Sequence, residues 1–365
     1  MTAPSVRIAG RLIGPGEPPY VIAEAGVNHN GDPALAERLV DAAGDAGADA
    51  VKFQTFTADR LALETAPQAA YQRERAAASS QREMLRGLEL PRASLASLRA
   101  HADRRGLAFL SSPFDVDSVD VLTEVGVPAF KIGSGDLTNL ILLRAVASRG
   151  RPVLLSTGMS SLDEVDQAMA DLRTHGDPPV IMLQCVSVYP ADPATVNIRV
   201  MATLAERYGV VVGFSDHTIG VGAAVAAAAL GASVIEKHLT LDRSLPGPDH
   251  AASLDPAGFM AMVRAIREAH VSLGDGTKAP LEAEIPIRAV VRRSLVVARP
   301  VRAGDAVVPD DLTALRPEGG VSPLRLDEVV GRTAARDLVA GTLLQASDLV
   351  PELSEPWPGP SMRPG

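Results

Sequence analysis

Between residues 20 and 273 one arrangement of apolar and polar positions recurs along the chain. A short run rich in Val, Ile and Phe comes first. A polar or glycine turn follows, then a longer stretch in which Ala and Leu return at helical spacing. The runs at 20–24, 50–54, 108–111, 129–132, 153–156, 180–183, 211–214 and 234–237 predict strands. The stretches at 35–46, 95–105, 117–125, 140–148, 163–173, 199–208, 221–230 and 256–272 predict helices. Eight strand–helix alternations in about 250 residues have the length and rhythm of a closed α/β barrel of the (β/α)8 type. The alternation also permits an open doubly wound sheet. That fold would more often show a glycine-rich fingerprint after its first strand, and Glu24-Ala25-Gly26-Val27-Asn28 does not match one.

The rhythm stops after Gly274, which sets a barrel domain at 1–275 and a linker at 276–290. From 291 to 350 a different pattern predicts a compact, mainly β second domain. Its short β runs, at 294–297 and 307–308, are separated by polar turns such as Arg302-Ala303-Gly304-Asp305. The tail, 351–365, is rich in Pro, Ser and Gly and is expected to be disordered.

Composition narrows the partners. The chain is 46% hydrophobic but only 3% aromatic, and a small aliphatic core of that kind suits parallel strands covered on both faces. The net charge is −9 and no Lys/Arg run is present, so no nucleic-acid partner is expected. Cys185 is the only cysteine, which excludes an intrachain disulfide and fits a reducing cytoplasm. Residues 1–10 lack the apolar region of a signal peptide, and the longest apolar stretch, 221–235, is shorter than the ~20 residues a membrane span needs. No membrane partner is expected.

The polar residues cluster at strand ends. They are Glu24; Lys52 with Gln54; Ser111 and Ser112; Lys131 with Ser134 and Asp136; Ser156 and Thr157; Gln184; Ser215, Asp216 and His217; and Glu236 to His238. A barrel brings all eight ends to one mouth. Lys52 and Lys131 each interrupt an apolar run, where a lysine is costly to bury without an anion. Either alone reads equally well as a snorkelling or paired lysine. Two in equivalent positions, with Ser112, Ser134, Ser156 and Ser215 nearby, point to a site for phosphate and carboxylate. His217 and His238 close adjacent strands, ~5 Å apart. Each alone reads as a structural histidine, but together they suit a two-histidine divalent metal site, Mn²⁺ or Mg²⁺. Glu24, Asp136 and Asp249 are candidates for acid/base or hydroxyl-binding work. Asp216 and Glu236 equally pair with Lys or His. His29 lines the mouth or stabilises a turn. Cys185, with no base beside it in sequence, reads as a plain buried cysteine.

Taken in order, Glu24 to Gly31, Lys52-Phe53-Gln54-Thr55, Ser111-Ser112-Pro113-Phe114, Lys131 to Asp136, Ser156-Thr157-Gly158-Met159, Gln184-Cys185 with Tyr189-Pro190, Ser215-Asp216-His217-Thr218, Glu236 to Thr240 and Pro246 to His250 resemble the motifs of the sialic acid synthase family, which includes N-acetylneuraminate synthases and related bacterial nonulosonate synthases. The C-terminal part, with Arg316-Pro317 and Gly319 to Ser322, is similar to that family's antifreeze-like (SAF) domain. The resemblance spans about 21 to 349. It implies a (β/α)8 barrel, a divalent ion and a domain-swapped homodimer in which each SAF domain caps the partner's barrel. It implies an activity that condenses phosphoenolpyruvate with N-acetylmannosamine or a related acylated hexose and releases phosphate. Carried over by motif, His217 and His238 would hold the ion. Lys52, Ser112, Lys131, Ser134, Ser156 and Ser215 would hold phosphoenolpyruvate. Gln54, Asp136, Tyr189 and Asp249 would hold the hexose, with Arg316 reaching its N-acyl group from the partner subunit, and Glu24 would be the acid/base group. Asp136 and Gln184 stand where family members vary, so the hexose is left open between N-acetylmannosamine and the precursors of legionaminate or other nonulosonates. A 3-deoxy-aldulosonate synthase and a catalytically inactive carbohydrate-binding relative are the more distant alternatives.

Overall fold

The structure, a computed structural model, describes residues 4–69, 73, 78 and 80–354. It divides into two compact units, 1–274 and 275–365.

The first unit opens with a hairpin of β1 (Val6–Ile8) and β2 (Arg11–Ile13). Eight strands follow: β3 (Tyr20–Gly26), β4 (Ala50–Thr55), β5 (Ala108–Pro113), β6 (Phe130–Ile132), β7 (Val153–Ser156), β8 (Val180–Cys185), β9 (Val211–Asp216) and β10 (Val234–His238). They form a closed parallel barrel in sequence order, sealed where β10 pairs with β3. The closed barrel excludes the open doubly wound sheet. Each strand and helix expected in this unit is present, with ends that differ by a few residues, whereas the β run expected at 307–308 of the second unit is not a strand. The helices owe their limits to local chemistry. Asp115 accepts from Ser118 N at 2.8 Å to start Val116–Val125, and Gly126 ends it in the left-handed region. Ser161 and Glu164 cap Leu162–Thr174 reciprocally. No helix among the described residues is long and apolar enough to cross a membrane.

Strand periodicity divides the side chains into two populations. One face of each strand packs on the helices, as in the stacked Phe53 and Phe109. The other fills the barrel in layers. Tyr20, Ile22, Ala50, Leu110, Leu154, Leu183 and Val234 form an apolar lower layer, which the hairpin residues Val6, Ile8 and Ile13 join. Two positions further along the same strands come Glu24, Lys52, Ser112, Ser156 and Glu236, all buried. The apolar floor therefore stands directly beneath a polar mouth.

The segment 58–86, between β4 and the helix before β5, carries short helices at Ala58–Leu61 and Gln81–Arg86; positions 70–72, 74–77 and 79 within it lie outside the described residues.

In the second unit the expected connector carries a helix, Ile285–Val291. Strands β11 (Ser294–Val297) and β12 (Leu312–Leu315) pair antiparallel, as do β13 (Thr333–Ala334) and β14 (Leu349–Val350). Two halves of this unit repeat one device. Arg299 pairs with Asp311 at 2.6 Å and Arg336 with Asp348 at 2.8 Å. The equivalent residues Val301 and Leu338 bond each other's backbones in both directions. Of the tail expected to be disordered, residues from 355 onward lie outside the described ones.

Candidate active site at the barrel mouth

Lys52 and Lys131 are buried and converge on one carboxylate. Each Nζ lies 3.7 Å from an oxygen of Glu236. Lys52 also pairs with Glu24 and donates to the Ser112 hydroxyl at 3.2 Å. Burial pulls both ammonium pKa values down. For Lys52 the attraction of Glu236 and Glu24 more than offsets it, whereas Lys131 ends below its ordinary value. The two carboxylates diverge. Burial raises Glu24 well above the usual carboxylate range, assisted by Glu236 and opposed by Lys52. Glu236 is buried as deeply, but the two lysines and the Ser215 hydroxyl, which donates to it at 2.8 Å, hold it ionised. Neighbouring carboxylates driven apart in this way suit distinct roles, one exchanging a proton and one fixed as an anion.

Around them, Gln54 Nε2 donates to Glu24 Oε1 at 3.3 Å. The Ser156 hydroxyl is buried without a hydrogen-bond partner. Ser134 accepts from Gly158 N at 3.0 Å, and a Cβ at position 158 would stand 2.7 Å from that hydroxyl, so the approach requires glycine. Asp136 is half-buried, accepts from Asn139 at 3.0 Å, and has its pKa raised by burial.

His217 and His238 face each other with ring centroids 5.4 Å apart. His217 Nδ1 lies 2.7 Å from the Val186 carbonyl, which only accepts, so this nitrogen carries a proton and Nε2 presents a lone pair in the neutral form; burial lowers the His217 pKa, but Cys185 and that carbonyl raise it overall. The Tyr189 hydroxyl donates to that Nε2 at 3.1 Å, and its ring packs 4.1 Å from the His217 ring. His238 is held neutral by burial, and its Nδ1 is buried without a partner, 3.8 Å from Asp249. Burial also lifts Asp249 to about 6. Two facing imidazoles, one with an orphaned nitrogen, fit a divalent ion that takes the rest of its shell from water and substrate oxygens. Among the described residues no group of three or more His, Cys, Asp and Glu is arranged to hold an ion.

Some expectations change. Gln184 points out of the barrel and donates to the Val196 carbonyl, so it does not touch the mouth. Ser111 likewise faces outward, bonded to Thr55 at 2.8 Å. Asp216 and Lys237 form an outward-facing buried pair at 2.7 Å. Cys185 does have a basic neighbour, with Sγ 3.7 Å from His217 Nδ1, and it lines the mouth. Its signal in the sequence was parity, since it lies two positions beyond the inward Leu183. The same parity links Glu236 to the inward His238. His29 holds a turn by accepting from Gly31 N at 3.0 Å. Arg316 is exposed in the second unit, directly after β12.

Comparison with known proteins places this arrangement. The profile of the NeuB family matches residues 39–278, and that of the SAF domain matches 292–350. The chain belongs to the NeuB family. It is 45% identical to the N,N'-diacetyllegionaminic acid synthase of Legionella pneumophila, covering 89% of this chain and 93% of that one. It is 41% identical to the enzyme of the same name from Campylobacter jejuni, over 89% and 98% of the two chains. Among solved structures, the N-acetylneuraminic acid (sialic acid) synthetase of Leptospira borgpetersenii superposes with a TM-score of 0.70 at 33% identity, over 78% of this chain and 95% of that one.

Proposed function

We propose that the protein is a sialic-acid-type synthase that joins phosphoenolpyruvate to an acylated hexose such as N-acetylmannosamine and releases phosphate. Two buried ammonium groups converging on Glu236, beside the unpartnered Ser156 hydroxyl, carry this reading. A small, highly charged anion is the ligand such a pair suits. The family relationship supplies the reaction class.

Lys52 and Lys131, with Ser112, Ser134, Ser156 and Ser215, bind the carboxylate and phosphate of phosphoenolpyruvate. Gln54, Asp136, Tyr189 and Asp249 hold the open-chain hexose with its aldehyde carbon against C3 of phosphoenolpyruvate, which supplies the proximity term. His217 and His238 would hold a divalent ion, Mn²⁺ or Mg²⁺, which supplies Lewis-acid polarisation of a carbonyl oxygen when bound. As the new carbon–carbon bond forms, positive charge develops at C2, beside the Glu24 carboxylate. Glu24 takes a proton from the water that adds there, and the lysines hold the phosphate as the C2–O bond breaks. The products are a 2-keto-3-deoxy sugar acid and inorganic phosphate.

The active form we propose is a domain-swapped homodimer, with Arg316 of the partner subunit contacting the N-acyl group. A cytoplasmic location suits its single reduced cysteine, Cys185. A diacetylated hexose is the second reading, favoured by the identity to two legionaminic acid synthases. Phosphate release from phosphoenolpyruvate with Mn²⁺ and a panel of acylated hexosamines tests both. Turnover with at least one of them is expected, and the preferred sugar decides between the readings. Release only with a phosphorylated sugar would indicate an aldulosonate synthase, and no release with any sugar would indicate a binding protein.

A further inference from the structure

The loops after β3 and β10 leave the barrel at its closing seam, and a run of buried side-chain hydrogen bonds ties them together. Asn28 Nδ2 donates to the Leu239 carbonyl and to the Ser253 hydroxyl, each at 2.9 Å. The Ser253 hydroxyl donates in turn to the Asp249 carbonyl at 2.7 Å. One turn later, Asn30 Nδ2 donates to the Pro246 carbonyl at 2.9 Å. Asn30 Oδ1 can only accept, so His250 Nε2, 3.2 Å away, is the donor. That fixes the tautomer and leaves His250 Nδ1 to accept from the Thr240 hydroxyl at 2.7 Å, the nearer of that hydroxyl's two acceptors, with the Asp242 carbonyl at 3.0 Å. His250 is fully buried and both its ring nitrogens are satisfied. Gly247 passes so close that a Cβ there would stand 2.8 Å from His250 Cδ2 and 2.9 Å from Asn30 Oδ1, at a φ of +142°.

Together these residues bracket Asp249, whose carboxylate lies 3.8 Å from His238. The bonds enter the backbone at 246 on one side and through Ser253 on the other, and His250 is the residue next to Asp249. We infer that Asn30 and His250 form a latch across the barrel seam that positions Asp249 against His238, so that the loop after β3 sets hexose affinity without touching the hexose. This rests on the reading of Asp249 as a hexose contact. The lysines and serines of the phosphoenolpyruvate subsite lie on other strands and make no hydrogen bond to Asn30 or His250.

The test compares Michaelis constants in the full-length enzyme. Asn30→Ala removes the latch from the β3 side, and Gly247→Ala forces its two partners apart from the β10 side. Asp249→Asn is measured alongside, and melting temperatures check folding. Both latch variants are expected to raise the KM for the acylated hexose roughly tenfold, with that for phosphoenolpyruvate changed less than about twofold. Asn30→Asp, which keeps the acceptor for His250, is expected to recover part of the loss. If Asp249→Asn raises the hexose KM and neither latch variant does, the latch is wrong and the reading of Asp249 stands. If Asp249→Asn leaves it unchanged, that reading fails and the latch fails with it. Equal rises in both Michaelis constants would mean a general loosening of the mouth and would also overturn the proposal. Should one latch variant fail to fold, the other decides.

Discussion

Asp216 and Lys237 flank the two histidines in sequence and face the opposite way, toward the helices. Their pair is almost wholly withdrawn from water. Lys237 also donates to the Thr218 carbonyl at 2.6 Å, so the ammonium is satisfied only while its carboxylate is present. Asp216→Ala is therefore expected to cost about 3–5 kcal/mol in denaturant unfolding, because it leaves a buried charge uncompensated. Glu24 gives a prediction of opposite character. Its pKa is raised by burial, and only the ionised form can accept a proton from water. Activity should thus rise with pH through a midpoint well above the ordinary carboxylate range. Glu24→Gln should lose roughly 10²–10⁴ in kcat together with that limb of the pH profile. The sequence announced these residues as one polar cluster at strand ends. It did not say which faced inward, because that depends on strand parity. Gln184 faces outward, and Cys185, buried as its context predicts, faces inward.

At the level of elements, the eight strands and their helices were legible because a parallel barrel repeats one hydrophobic signature and buries both faces of each strand. The hairpin Val6–Ile13 was not. Its strands are three residues long, interrupted by Arg7 and Arg11, and its apolar positions acquire meaning only when the barrel floor is there to receive them. Ile8 is fully buried in that floor, on the hairpin and not on a strand that carries a mouth residue. Ile8→Asp is expected to destabilise the fold by about 3 kcal/mol or more while leaving both Michaelis constants near wild type, measured at a temperature where the variant is folded. The links between the loops after β3 and β10 were invisible for a related reason. Asn28 and Asn30 lie more than 200 residues from Leu239 and His250, and ring closure alone makes them neighbours.

For the whole molecule, the proposed exchange of SAF domains makes a prediction that a self-contained subunit does not. His217→Ala disables a barrel and Arg316→Ala disables a cap. If each cap serves the partner's barrel, mixing and re-equilibrating the two inactive homodimers should restore about one quarter of wild-type activity, because half the dimers are mixed and each holds one intact site. If each cap serves its own barrel, mixing restores nothing.

The central claim is that this mouth joins phosphoenolpyruvate to an acylated hexose and expels phosphate by breaking the C2–O bond. The most direct measurement uses phosphoenolpyruvate labelled with ¹⁸O at the bridging oxygen, with Mn²⁺ and the preferred hexose, and follows both products by mass spectrometry. Cleavage of C2–O gives one nine-carbon sugar acid for each phosphate, with the label in the phosphate. Phosphate formed without sugar acid, or label retained in the sugar acid, would contradict it.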